Sequence, residues 1–159
     1  MKITKHLNLI IICILISANL CFIWGNSLLD KTESGQVSSE VTEIVRPIFE
    51  PIFGNELFSG SLIRKLAHFV EFGILGGLLS LLMNILDSKY GIRRKSMLPY
   101  LILFGLVAAM IDETIQIFTE RGSQVSDVWL DFAGVLSGFL LIHFMYCFMQ
   151  KIHRAKKVE

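Results

Sequence analysis

The sequence has 159 residues, of which 53% are hydrophobic and 18% are charged, and its mean hydropathy is +0.59. This composition excludes an ordinary soluble domain of that length and predicts an integral membrane protein. The formal net charge of +1 excludes the broad basic field that nucleic-acid binding requires, so no nucleic-acid partner is expected.

Four apolar stretches reach or approach the length of about 20 residues that a helix needs to cross a bilayer. They cover residues 7–24, 66–86, 98–118 and 128–149. The first is interrupted by polar residues, but such side chains can bond to neighbouring helices at this depth. The sequence therefore predicts an all-α protein whose residues 1–159 form one domain, a four-helix transmembrane bundle.

The linker 25–65 joins the first two stretches, and its apolar residues recur at helical spacing between charged ones over residues 37–53. Pro47 and Pro51 interrupt this pattern. Because proline breaks a regular helix, we expect a short amphipathic helix followed by a kinked or irregular segment. The pattern is compatible with a lid on the bundle and with a segment lying on the membrane.

Basic residues cluster in three regions that the positive-inside rule assigns to the cytoplasm. These residues are Lys2 and Lys5 before the first span, Lys89, Arg93, Arg94 and Lys95 between the second and third, and Lys151, His153, Arg154, Lys156 and Lys157 after the fourth. Both termini are therefore predicted to be cytoplasmic. The linkers 25–65 and 119–127 are then extracytoplasmic.

Polar and ionisable side chains recur at one depth on three of the predicted spans. They are His68 and Glu71 on the second, Asp112, Glu113 and Gln116 on the third, and Asp127 and Asp131 on the fourth. A lipid-facing ionised side chain costs about 2.5–3.5 kcal/mol at the bilayer centre, and residues three or four apart share a helix face. These observations predict one cluster inside the bundle, near its outer surface.

Small and basic residues accompany this cluster. Gly134 and Gly138 would allow another helix to approach closely, and Ser126 or Asp127 would cap the fourth span. Arg121, in the preceding turn, could hold a phosphate or carboxylate, or could anchor the chain at the lipid headgroups.

Three linked motifs resemble those of the VanZ-like family of small bacterial membrane proteins, and the resemblance covers nearly the whole chain. They are Arg64-Lys65-x-x-His68-Phe69-x-Glu71-Phe72, Asp112-Glu113-x-x-Gln116, and Arg121-Gly122-Ser123-x-x-Ser126-Asp127-Val128-x-x-Asp131-x-x-Gly134. The family often has Tyr where Phe72 stands and Pro where Glu120 stands. The resemblance implies a multi-pass protein of the bacterial cytoplasmic membrane with a cell-envelope role, of the kind associated with low-level teicoplanin resistance. It implies no particular reaction.

One hypothesis is a protein that binds or shields a membrane lipid, a lipid-linked cell-wall precursor or a glycopeptide antibiotic. Its cations would meet phosphates, and its acidic and polar residues would orient those cations. The ligand-binding set would then be Arg64, Lys65, Asp112, Gln116, Arg121, Ser126, Asp127 and Asp131.

A second hypothesis is an intramembrane enzyme that modifies a lipid-linked phosphate or glycan. Its catalytic residues would be His68, Glu71 and Glu113, as general acid or base and partner. The only cofactor suggested is a divalent metal, with ligands drawn from His68, Asp112, Glu113, Asp127 and Asp131.

A third interpretation is purely structural, because a polar network can hold helices together; we favour it for Gln116 and Asp127 taken singly. Gly73, Gly76 and Gly77 also form a small-residue face through which two copies could associate.

Overall fold

The computed structural model describes residues 3–29, 31–53, 60–120 and 124–155, and these form five α-helices without a strand. The helices are α1 (Ile3–Ser27), α2 (Lys31–Phe53), α3 (Gly60–Tyr90), α4 (Arg94–Phe118) and α5 (Val125–Ala155). In that part of the chain, α1, α3, α4 and α5 are long and apolar enough to cross a membrane. The predicted all-α class and the four spans are confirmed.

The spanning helices are longer than the apolar stretches that predicted them. The helices α3 and α5 each have 31 residues, which at 1.5 Å per residue is about 46 Å against a hydrocarbon core of about 30 Å. Their polar ends therefore extend past the core. One consequence is that Arg64 and Lys65, which the sequence placed at the end of the linker, lie within the first turns of α3.

After a short amphipathic helix the sequence predicted a kinked or irregular segment, but α2 continues as one helix through Pro47 and Pro51 to Phe53. Each proline removes one helical hydrogen bond, and the carbonyls left without a donor are those of Glu43 and Pro47, four residues earlier. Both residues are exposed, so their carbonyls can bond to water instead.

The helix α2 presents its small polar side chains to the rest of the molecule. Ser34 and Thr42 are buried, whereas Val37, Val41 and Ile44 are exposed. Because α2 packs against α3, these three apolar residues face away from the bundle. They form the face with which such a helix lies on a membrane surface.

The closest helix packing is between α3 and α5, where glycines bring the two backbones together. A Cβ added to Gly138 would overlap the carbonyl of Gly73, and one added to Gly76 would overlap that of Val135. The predicted close approach at Gly134 and Gly138 is confirmed. Gly73, Gly76 and Gly77 face α5 of the same chain, and the self-association predicted through them stays a prediction.

The basic regions share one end of the bundle. Tyr90 Oη lies 2.9 Å from His6 Nδ1, which joins the end of α3 to the start of α1. Arg94 Nε donates to Asp87 Oδ2 over 2.7 Å, and its guanidinium lies 5.1 Å from the ring centre of Tyr146 on α5. The sharing of one end by these regions agrees with the predicted topology, and their cytoplasmic location stays a prediction.

Candidate functional site

Buried polar side chains gather at the opposite end of the bundle, where α3 and α5 begin and α1 and α4 end. Asp112 is 0% exposed and Asp131 is 1% exposed. The other buried members are His68, Glu113 and Gln116, and Glu71 is half-buried nearby. The predicted meeting of polar residues from three spans at one depth is thus observed. We call this set the polar cluster.

Two residues of α1 that the sequence interpretation missed are hydrogen-bonded to the polar cluster. Ser27 Oγ donates to Asp112 Oδ1 over 2.7 Å, and Asn26 Nδ2 donates to Glu71 Oε1 over 3.1 Å. Thr119 Oγ1 donates to the carbonyl of Ser27 over 3.1 Å and so fixes the end of α1 against α4. The sequence position of Asn26 and Ser27 could have indicated this role, because polar residues at the end of the first span lie at the same depth as the charged residues of the other spans.

On α4, the amide of Gln116 bridges two carboxylates. Its Nε2 donates to Asp112 Oδ2 over 2.8 Å and to Glu113 Oε1 over 3.0 Å, because residues three and four apart share a helix face. Asp112 Oδ2 also lies 3.5 Å from His68 Nδ1 on α3. The structural role favoured for Gln116 is supported by these two bonds.

Asp131 is the residue of α5 whose carboxylate lies in the polar cluster. It lies among the buried residues with His68 and Asp112, and one ligand atom from each of the three lies within 4.8 Å of the others. Its Oδ2 is buried and accepts no hydrogen bond from any described residue. The arrangement brings an imidazole and two carboxylates to one point between three helices.

A rim of charged residues covers the polar cluster. Lys65 Nζ donates to Asp127 Oδ1 over 2.6 Å, joining the first turns of α3 and α5, and Arg64 is half-buried beside it. A cavity of about 10 Å³ lies beneath, bordered by both cations and by His68, Glu113, Gln116, Asp127, Leu130 and Asp131. This volume holds about one water molecule, so a lipid headgroup does not fit below the rim.

Three predicted residues lie in or just before the first turn of α5 in the sequence, namely Arg121, Ser126 and Asp127. Ser126 is exposed, and its Oγ lies 3.3 Å from Gln124 Oε1 and 3.4 Å from Asp127 Oδ1. Because α5 begins at Val125, Ser126 and Asp127 lie in its first turn rather than at the cap, which corrects the predicted capping role. Arg121 lies outside the described residues, so its predicted role stays a prediction.

An apolar groove of about 480 Å³ follows the line where α3 meets α5. Phe69 and Gly73 on α3 and Gly138 and Leu141 on α5 are among its walls. Lys65, Phe69 and Gly73 are spaced four residues apart, so the groove begins one turn below the rim on the same stripe of α3. A charged rim and an apolar groove are thus adjacent, which suits an amphiphile with an anionic head.

A comparison with protein-family models matches residues 7–146 to the family described as VanZ/LLP1. The match covers nearly the whole chain and includes every residue of the polar cluster and its rim. No curated protein and no solved structure matches the chain.

Proposed function

The chain belongs to the VanZ/LLP1 family, and we propose that it binds the phosphate-bearing head of a membrane lipid or lipid-linked cell-wall precursor at the outer face of the cytoplasmic membrane. The observation that carries the proposal is the position of Lys65 and Arg64 at the rim, directly above a cavity too small for the head and beside an apolar groove. The head would rest on the rim, and the chain would follow the groove.

The charge arrangement supports an anionic ligand. Lys65 keeps 38% of its side chain exposed while it pairs with Asp127, so a phosphate can reach its ammonium group from solvent. Charge-assisted hydrogen bonds to phosphate are about twice as strong as neutral ones. The rim pair is therefore an internal competitor that a stronger anion can displace.

The predicted orientation of the protein in the membrane supports a ligand at the outer face. The positive-inside rule places the basic end in the cytoplasm, and the polar cluster then faces outward. The exposed apolar residues of α2 lie on the linker that leaves and rejoins the bundle at that same end, where they would contact acyl chains. Occupying or shielding a lipid-linked precursor there would lower susceptibility to teicoplanin-type glycopeptides.

The proposal is tested by lipid binding to the purified protein in detergent, measured by native mass spectrometry. The probes are a polyprenyl monophosphate and the neutral polyprenol of equal chain length. We expect tighter binding of the phosphate and loss of that preference in Lys65→Met, with Lys89→Met at the opposite end as the matched control. Equal affinity for the two lipids, or an unchanged preference in Lys65→Met, would overturn it.

A second candidate is the intramembrane enzyme, because His68, Glu113 and Asp131 border a cavity that holds one water molecule. A water between an imidazole and carboxylates can be activated as a nucleophile, and the rim would have to open for a phosphate or glycan bond to reach it. The test is the profile of envelope lipids in cells carrying the wild type, Glu113→Gln or an empty vector. A species that appears only with the wild type supports the enzyme, and identical profiles exclude it for the lipids detected.

A further inference from the structure

We propose that His68, Asp112 and Asp131 bind one divalent transition-metal ion, Zn²⁺ or Mn²⁺, at the centre of the polar cluster. One nitrogen and two carboxylate oxygens, from three different helices, lie within 4.8 Å of one another. If all three distances between these atoms equal the 4.8 Å limit, the centre of the triangle that they form lies about 2.8 Å from each atom. Each ligand would have to move inward by about 0.7 Å to reach a bond length of about 2.1 Å.

The observation that points to a ligand is the state of Asp131. Its side chain is fully buried, and its Oδ2 accepts no hydrogen bond within the described ranges of the chain. A buried carboxylate oxygen without a partner is costly, and buried charges in proteins are ordinarily paired or bound to metals. An ion at the centre of the three residues would satisfy this oxygen.

The surroundings of Asp112 are those of a metal ligand held in place. Ser27 donates to its Oδ1 from α1, and Gln116 donates to its Oδ2 from the following turn of α4. Hydrogen bonds of this kind orient the groups that bind a metal and are a usual feature of such sites. They also explain why α1 contributes polar residues at this depth.

Space and charge agree with a single ion. His68 and Asp131 border the cavity of about 10 Å³, which admits one small particle and no headgroup. A divalent ion would balance two carboxylates that otherwise lie buried together. The other two carboxylates near the rim already have donors, because Gln116 donates to Glu113 and Lys65 donates to Asp127.

The donor set selects the metal. Magnesium and calcium take oxygen ligands, whereas an imidazole suits zinc and other transition metals, and carboxylates also suit manganese. One imidazole with two carboxylates therefore favours Zn²⁺ or Mn²⁺. The inference does not depend on the proposed lipid, since no part of it uses the rim or the groove.

The experiment is metal analysis of the purified, chelator-stripped protein in detergent micelles after equilibration with Zn²⁺, Mn²⁺ or Mg²⁺ and removal of free ions, without added lipid. We expect about one equivalent of Zn²⁺ or Mn²⁺ per chain and no retained Mg²⁺. Asp131→Asn and His68→Asn should lower the affinity at least tenfold. Asp127→Asn is the matched control, because it removes a nearby carboxylate that the site does not use, and it should retain the metal.

A wild-type protein that retains neither Zn²⁺ nor Mn²⁺ overturns the proposal whatever the variants do. Unchanged metal content in Asp131→Asn or in His68→Asn overturns it as well. Gel filtration shows whether each variant stays folded; if Asp131→Asn aggregates, the decision rests on His68→Asn. As a second measurement, Zn²⁺ should raise the unfolding temperature of the wild type and of Asp127→Asn, but not that of His68→Asn.

Discussion

Replacing Asp127 with asparagine is expected to strengthen the binding of a phosphate-bearing lipid. The wild-type carboxylate competes with the phosphate for Lys65, and its removal frees the ammonium group. Because the Lys65 side chain is 38% exposed, solvent screens the pair, and such pairs contribute about 0.2–1 kcal/mol. Freeing Lys65 should therefore tighten binding by at most about fivefold, since 1.4 kcal/mol corresponds to tenfold.

The substitution Lys65→Met should act in the opposite direction and more strongly. A hydrogen bond to a charged group contributes about 1.5–3 kcal/mol, so its loss should weaken binding of the phosphate by roughly tenfold or more. Methionine keeps the length and apolar stem of the side chain, which preserves the packing beside the groove. The opposite signs of the two changes distinguish ligand binding from a structural role of the ion pair.

Both effects are measured by titrating polyprenyl monophosphate against the wild type and the two variants at two salt concentrations. Affinity should fall as salt rises, least in Lys65→Met. If Asp127→Asn binds the phosphate more weakly than the wild type does, the competition argument fails. Asp127 would then act mainly by holding α5 against α3.

Three further experiments test the fold and the topology. Gly138→Ala should destabilise the protein by about 1–3 kcal/mol or more, because the added Cβ would overlap the backbone of α3. Gly25→Ala should stabilise the protein slightly, because the added Cβ meets nothing within 4 Å. Thermal unfolding in detergent compares the two variants. Ser27→Ala should cost about 1–3 kcal/mol in the same assay by removing a donor to a buried carboxylate, and no change would contradict that bond. In a cysteine-free background, Ser88→Cys should react with an impermeant thiol reagent only in inverted vesicles and Gln124→Cys only in intact cells; the reverse pattern would place the polar cluster in the cytoplasm.

The spans and the depth of the polar cluster could be predicted from sequence because both depend on single-residue physics. A long apolar run must cross the bilayer, and charges inside it must find partners. Asp112 and Asp131 were predicted to meet on these grounds alone. The same reasoning did not predict that α1 contributes side chains to the site, because Asn26 and Ser27 are uncharged and resemble ordinary linker residues at the end of a span.

The errors concern elements whose structure depends on their surroundings. Proline disfavours a helix interior, but the carbonyls that lose a donor to Pro47 and Pro51 belong to exposed residues, where water can replace the lost hydrogen bonds. The face of Gly73, Gly76 and Gly77 was predicted as a packing surface that a second copy could use, and the structure packs α5 of the same chain against it. Spacing shows that two backbones can approach closely, whereas only the structure shows that α5 of the same chain is the one that does.

The energetic cost of the polar cluster favours a bound ligand over a purely structural role. Interhelical hydrogen bonds in membranes average about 0.6 kcal/mol, and neutral amides would supply them without burying charge. The cluster instead places the carboxylates of Asp112, Glu113 and Asp131 in the interior, and the donors from Ser27 and Gln116 reach only the first two. A cation bound by Asp131 would offset the cost, and the closed rim above would keep that cation apart from the lipid head.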